Sequence, residues 1–183
     1  MSRDGTENRE EAHRRPGRPR SFDREATIDE ATTCYWREGP YGVSLNEVCR
    51  QVGVSKPGIY REFGGEDGLL AAVIDRYREQ VVLPLLDVLA PDMPFGEVIQ
   101  TMLAAQTAER DGPMGCLITE GRLGRHLLGP LAAQRLDAVS EEMRSAYEAR
   151  YERAVADGQA NGELDPAFAA SYVDAQLGTL LMR

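Results

Sequence analysis

The chain has 183 residues, 42% hydrophobic and 28% charged, with a net charge of −9. This is the balance of a globular protein with a core of its own, and no run approaches the roughly 20 apolar residues that a bilayer crossing requires. Three cysteines, Cys34, Cys49 and Cys116, are an odd number without metal-ligand spacing. They suit reduced thiols in the cytoplasm, with no metal site, cofactor or disulfide framework expected.

Residues 1–16 mix charges of both signs with no apolar core between them, which predicts a disordered tail and neither a secretory signal nor a lipidation site. Arg14, Arg15, Arg18, Arg20 and Arg24 then face the single acid Asp23, whereas acids dominate the second half of the chain. The negative total argues against a nucleic-acid partner, but its distribution leaves a basic arm on an acidic body, and the arm is what phosphates would meet. Gly17-Arg18-Pro19-Arg20 is extended and cationic, a form suited to A·T-rich minor grooves.

A helix is expected from about Asp23 to Glu38, with Ile28, Ala31, Tyr35 and Trp36 on one face and Gly39-Pro40 ending it. Ser44 and Glu47 form a capping-box pair before Leu45, Val48, Cys49 and Val52, an apolar stripe at helical spacing. Gly53 stops that helix, Ser55 caps the next, and Pro57 lies in its first turn. Ile59 and Phe63 anchor the second helix inward, leaving Lys56, Pro57, Gly58, Tyr60 and Arg61 outside. Two short helices joined this tightly form a helix-turn-helix, the unit that sets its second helix in a DNA major groove.

A fourth helix opens at Glu66 and Asp67 and carries Leu69, Leu70, Val73, Ile74 and Tyr77 until Pro84 bends or ends it. Further helices are expected from Phe95 to the break at Asp111-Gly112-Pro113, from about Cys116 to Leu128, and from Pro130 to near Asp157. Asp165 and Pro166 start the last, whose apolar face reads Phe168, Tyr172, Val173, Leu177 and Leu180. No alternating strand and no repeat is found. The expected fold is all-α: a three-helix head over 17–65, and a helical body over 66–183 for effector binding and dimerisation.

The stretches GRPRSFDREA and WREGPYGVSLNEVCRQVGVSKPGIYREF, and the apolar helix from Leu69, closely resemble the TetR family of bacterial transcription regulators over roughly residues 17–75. The segment GPMGCLI and the helix order extend the likeness into the second half. The resemblance implies a homodimer that binds double-stranded operator DNA and releases it, as a repressor, when a small effector enters the body. Carried over by position, Ser44 and Tyr60 contact phosphates. Ser55, Lys56, Pro57, Gly58 and Arg61 belong to the recognition surface, with Lys56 and Arg61 reading base edges and Arg18 and Arg20 forming the arm. Where the family has a Ser or Asn cap and a Lys clamp after Phe63, this chain has Gly65 and Glu66, so the clamp is expected to be absent. The last helix, running to Arg183, is shorter than the family's paired interface helices, as in a truncated chain or one whose interface relies more on residues 130–157.

Phe95, Met102, Met114, Leu117, Tyr147, Tyr151 and Tyr172 are candidates for an apolar effector pocket, although residues at such spacing more often form core. Cys116, after Gly115 at a helix start, suggests a redox or electrophile sensor as the alternative trigger. With two histidines and no Ser/His/Asp, metal or P-loop pattern, no enzyme is expected.

Overall fold

The computed structural model describes residues 22–89, 93–107 and 113–180. The tail and the arm residues Arg18 and Arg20 lie outside the described residues.

The first three helices start and stop where local chemistry directs. α1 (Arg24–Glu38) is capped by Asp23, whose carboxylate accepts from the amide of Ala26 at 3.1 Å, and ends at Gly39 with φ 79°. α2 (Leu45–Val52) is capped by Ser44, whose hydroxyl accepts from the amide of Glu47 at 3.3 Å. The reciprocal half of the expected capping box is not formed. The Glu47 carboxylate instead accepts from Arg50 Nε at 3.0 Å and Gln51 Nε2 at 2.8 Å, because these charge-assisted partners lie one turn along on its own helix. α3 (Lys56–Phe63) is capped by Ser55, with Pro57 in its first turn, and ends at Gly64 in the left-handed conformation.

α4 (Glu66–Tyr77) does not end at Pro84. It passes through a π turn at Arg78–Val82 into α5 (Leu83–Asp87), with the amide of Leu83 donating to the carbonyl of Arg78. Proline has no amide proton to give, so the ladder is already interrupted there, and a wider turn carries the helix onward. α6 (Phe95–Thr107) is followed by α7 (Leu117–Leu123), shorter than the helix expected to Leu128. Gly124 breaks it and Arg125–Leu127 continue as a 3₁₀ turn, with the Tyr41 ring filling the space where a Cβ at residue 124 would stand. α8 (Pro130–Ala156) and α9 (Pro166–Leu180) complete the fold, and Asp165 caps α9 through the amide of Phe168 at 2.9 Å.

α4 is the central element, packing on α1 and α3 on one side and on α8 on the other, while α8 packs on α9. One apolar cluster runs through all of these, from Ala31, Tyr35, Val48 and Ile59 through Val73 and Ile118 to Leu136 and Leu177. The last helix departs from the expected face. It buries Ala169, Ala170 and Leu177 and leaves Phe168, Tyr172 and Leu180 exposed, because the close approach to α8 takes small residues and turns the large ones outward. No described helix is long and apolar enough to cross a membrane.

Candidate nucleic-acid interface

α3 presents an exposed strip of Lys56, Pro57, Tyr60 and Arg61, with Ile59 completely buried beneath it; Gly58, expected on the outside, is buried as well, because Phe22 packs against it. Ile59 and the half-buried Phe63 anchor this short helix inward as expected, and three further supports are present. Ser55 and Gly64 fix its ends. Phe22 lies against Gly58, close enough that a Cβ there would stand 3.1 Å from the ring, and also edge-on to Phe63 with centroids 6.2 Å apart. The side chain of Tyr60 packs over Gly65, and Tyr60 as a whole is 54% exposed.

Arg61 is oriented before any ligand arrives. Its guanidinium lies 5.9 Å from the Phe22 ring centroid and its Nε donates to Glu62 Oε1 at 2.8 Å. Lys56 is exposed at the first position of the helix. Ser44 stands at the N-terminus of α2, exposed, with its hydroxyl occupied by the cap, so any phosphate there would meet the helix's amide end as well as the hydroxyl. Glu66 is exposed in the first turn of α4, and Gly65 supplies no side-chain cap.

Behind this surface the head is fastened to the rest of the chain by contacts that the sequence reading did not identify. The carboxylate of Asp67 accepts from the amides of Leu131 at 3.0 Å and Ala132 at 2.9 Å, so a residue of α4 caps α8, whose own cap position is Gly129. The Trp36 indole donates to the carbonyl of Gly115 at 3.0 Å, and the Tyr41 hydroxyl donates to the carbonyl of Gly121 at 2.7 Å. Arg76 pairs with Asp29 and Glu25 of α1, and Arg78 donates to both oxygens of Glu142 at 2.5 and 2.6 Å. Arg78 holds the Glu142 carboxyl below its usual range. The legible signals were an acid at a helix start and a glycine at another; only the fold brings them together.

The effector candidates divide. Phe95, Met102, Tyr147 and Tyr151 gather with Arg150, whose guanidinium lies 5.3 Å from the Phe95 ring centroid. Burial pushes the Tyr147 phenol up, with Asp174 adding to it. Leu117 is core, and Met114 and Tyr172 are each 59% exposed. Cys116 is buried just ahead of α7, beside Leu117 and Ile118. Burial also pushes the thiols of Cys34 and Cys49 up, away from thiolate. Among the described residues no group of three or more His, Cys, Asp or Glu side chains could hold a metal ion.

Residues 28–73 match the family described as bacterial regulatory proteins, tetR family. The HTH-type transcriptional repressor BdcR of Escherichia coli K12 is 35% identical over 109 residues, 58% of this chain and 55% of that protein. The HTH-type transcriptional repressor ComR of the same strain is 41% identical over 61 residues, 33% of this chain and 29% of that protein. The chain thus spans about half the length, or less, of these curated relatives. A cysteine-substituted form of the TetR family transcriptional regulator CifR, solved with 26 bp double-strand operator DNA, superposes with a TM-score of 0.72 at 26% identity, over 90% of this chain and 87% of that one.

Proposed function

The chain belongs to the TetR family of bacterial regulatory proteins, and from that premise we propose that it is a homodimeric, sequence-specific DNA-binding repressor, released from a palindromic operator by a small apolar effector. The observation that carries this reading is the outer face of α3: an exposed Lys56, Tyr60 and Arg61 on a helix fixed at both ends and from beneath. Such a helix meets base edges in the major groove, with Lys56 and Arg61 suited to guanine O6 and N7 and with Tyr60 and Ser44 beside the phosphates. Arg18 and Arg20 precede the first helix and reach the adjacent minor groove. The reading divides the chain at about residue 65 into a head and an effector-binding body, and sets its work in the cytoplasm, where the chromosome is. It contains no catalytic step.

The exposed side of α9 supports the dimer. Phe168 and Tyr172 stack with centroids 6.4 Å apart and Leu180 lies further along, an apolar strip that a second copy would cover. The test compares DNA selected by the protein from a random library with scrambled DNA, by fluorescence anisotropy. Lys56→Ala and Arg61→Ala should each lose about 1–3 kcal/mol of discrimination at particular base pairs. Equal losses on selected and scrambled DNA would mean that these side chains contact only the backbone.

A further inference from the structure

Glu62 is an exposed acid in the last turn of α3, which ends at Gly64, and a negative charge there works against the helix dipole. It also stands on a surface built to meet an anion. Sequences break local rules of this kind mostly at functional sites. The contact it makes is specific: Glu62 Oε1 accepts from Arg61 Nε at 2.8 Å, while the Phe22 ring lies against the same guanidinium, 5.9 Å from centroid to carbon. The side chain of Arg61 is 66% exposed and that of Glu62 32%, so the carboxylate is the more covered of the two and the guanidinium the more presented. Arginine has N–H donors on three nitrogens. Glu62 takes the one on Nε, which leaves the paired Nη1 and Nη2 edge for a ligand.

We propose that Glu62 is a specificity-determining residue of this face: it holds Arg61 by Nε and keeps a negative charge beside it, so that Arg61 meets a neutral guanine edge and not a phosphate. The inference rests on the DNA-binding reading and adds to it a residue that itself touches no base. Guanine O6 and N7 carry no net charge, and Glu62 stays paired while they accept from the Nη edge. A phosphate on that edge would lie beside the Glu62 carboxylate, and a phosphate that displaced it would leave the carboxylate unpaired in the same place. Two unit charges about 4 Å apart repel by roughly fivefold in an equilibrium constant even at the dielectric of water. Without Glu62 the guanidinium would take a phosphate wherever one is offered, and phosphate contacts supply essentially all of sequence-indifferent affinity. The carboxylate therefore acts mainly against the wrong partner, the repulsive half of specificity. Phe22 fixes the guanidinium by its face and Glu62 fixes it by its edge.

Glu62 acts through Arg61, so it is a positioning residue, and the test must separate that role from bulk charge and from folding. The full-length protein and Glu62→Gln are compared by fluorescence anisotropy on selected DNA, on scrambled DNA and on selected DNA altered at single base pairs, over a series of salt concentrations. Arg61→Ala identifies the base pair that Arg61 reads. Glu62→Gln should bind scrambled DNA about 3- to 10-fold more tightly, with a salt slope steeper by about 1 for each head bound. Its affinity for selected DNA should change less, and its discrimination should fall at the base pair that Arg61 reads and not at the others. In an Arg61→Ala background the same substitution should have little effect on either DNA. Tm should not fall, since glutamine removes an acid from a helix C-terminus.

Equal changes on selected and scrambled DNA, no change on scrambled DNA, or the same gain in the absence of Arg61 would overturn the role, as would a lower Tm with the parent's base preference. The contact is checked without DNA by NMR. The Arg61 Nε–H resonance, identified by its absence from Arg61→Ala, should shift and exchange faster with water in Glu62→Gln, and an unchanged resonance would overturn the pairing. A protein that did not distinguish selected from scrambled DNA would refute the DNA-binding reading, with the resonance shift intact.

Discussion

Removing the Asp67 carboxylate should loosen the join between the head and α8 by an amount that the geometry bounds. In Asp67→Ala the amides of Leu131 and Ala132 lose their acceptor, and Gly129 has no side chain to replace it. Loss of a helix cap costs about 0.5–2 kcal/mol, and loss of a negative charge at a helix N-terminus a further 0.3–1 kcal/mol or so. The expected destabilisation is therefore about 1–3 kcal/mol, and at roughly 2–4 °C per kcal/mol for a chain of this size Tm should fall by several degrees. Gly129→Ala supplies an independent check. Residue 129 has φ −68°, which alanine adopts without strain, but its Cβ would overlap the Asp67 carboxylate and displace it. Gly129→Ala should therefore cost nearly as much as Asp67→Ala, and the double variant little more than either, a non-additivity read by urea denaturation. Full additivity, or an Asp67→Ala protein as stable as the parent, would refute the bridging role.

Phe22→Ala removes the ring beneath Gly58 and Arg61 and should reduce the preference for selected over scrambled DNA about 2- to 5-fold, the value of an exposed cation–π contact, while leaving the salt slope unchanged. A lower salt slope would show that Phe22 supports phosphate contacts instead. Glu66→Lys adds a cation at the exposed start of α4 and should raise affinity for both DNAs and steepen the salt slope by about 1, at about 0.3–1 kcal/mol of stability from the helix dipole; unchanged binding would put residue 66 away from the backbone. Arg78 holds the Glu142 carboxyl below its unfolded value, so the pair's contribution is present above the ordinary 4.5 and is lost as pH falls through the lower folded-state value. The difference in urea midpoint between parent and Glu142→Gln should therefore shrink between pH 6 and pH 3, and a constant difference would contradict it.

The head was legible because its helices are short and their ends chemical. Asp23, Ser44, Gly53, Ser55 and Gly64 act within a few residues of themselves, so spacing suffices to locate α1, α2 and α3. The body was less so. Pro84 was expected to bend or end its helix, and the structure instead carries the helical chain past it through a π turn, a change of hydrogen-bond step that apolar spacing does not reveal. Phe168 and Tyr172 looked like inward residues because periodicity identifies an apolar stripe without saying whether this chain or another covers it. The effector candidates were chosen for residue type, and only the fold shows that Phe95, Met102, Tyr147 and Tyr151 gather around Arg150 while Met114 and Tyr172 stand exposed. Asp67 was read as an ordinary first-turn acid, since its partners stand 64 and 65 residues away.

The central claim, that two copies of α3 read an inverted pair of DNA half-sites, is tested most directly by selecting DNA from a random library with the full-length protein and footprinting the product with hydroxyl radicals. Two protected half-sites in inverted repeat, with centres about 34–36 Å or a multiple apart along one face of the duplex, are expected. Uniform protection that is indifferent to sequence, or a single unpaired site, would contradict it.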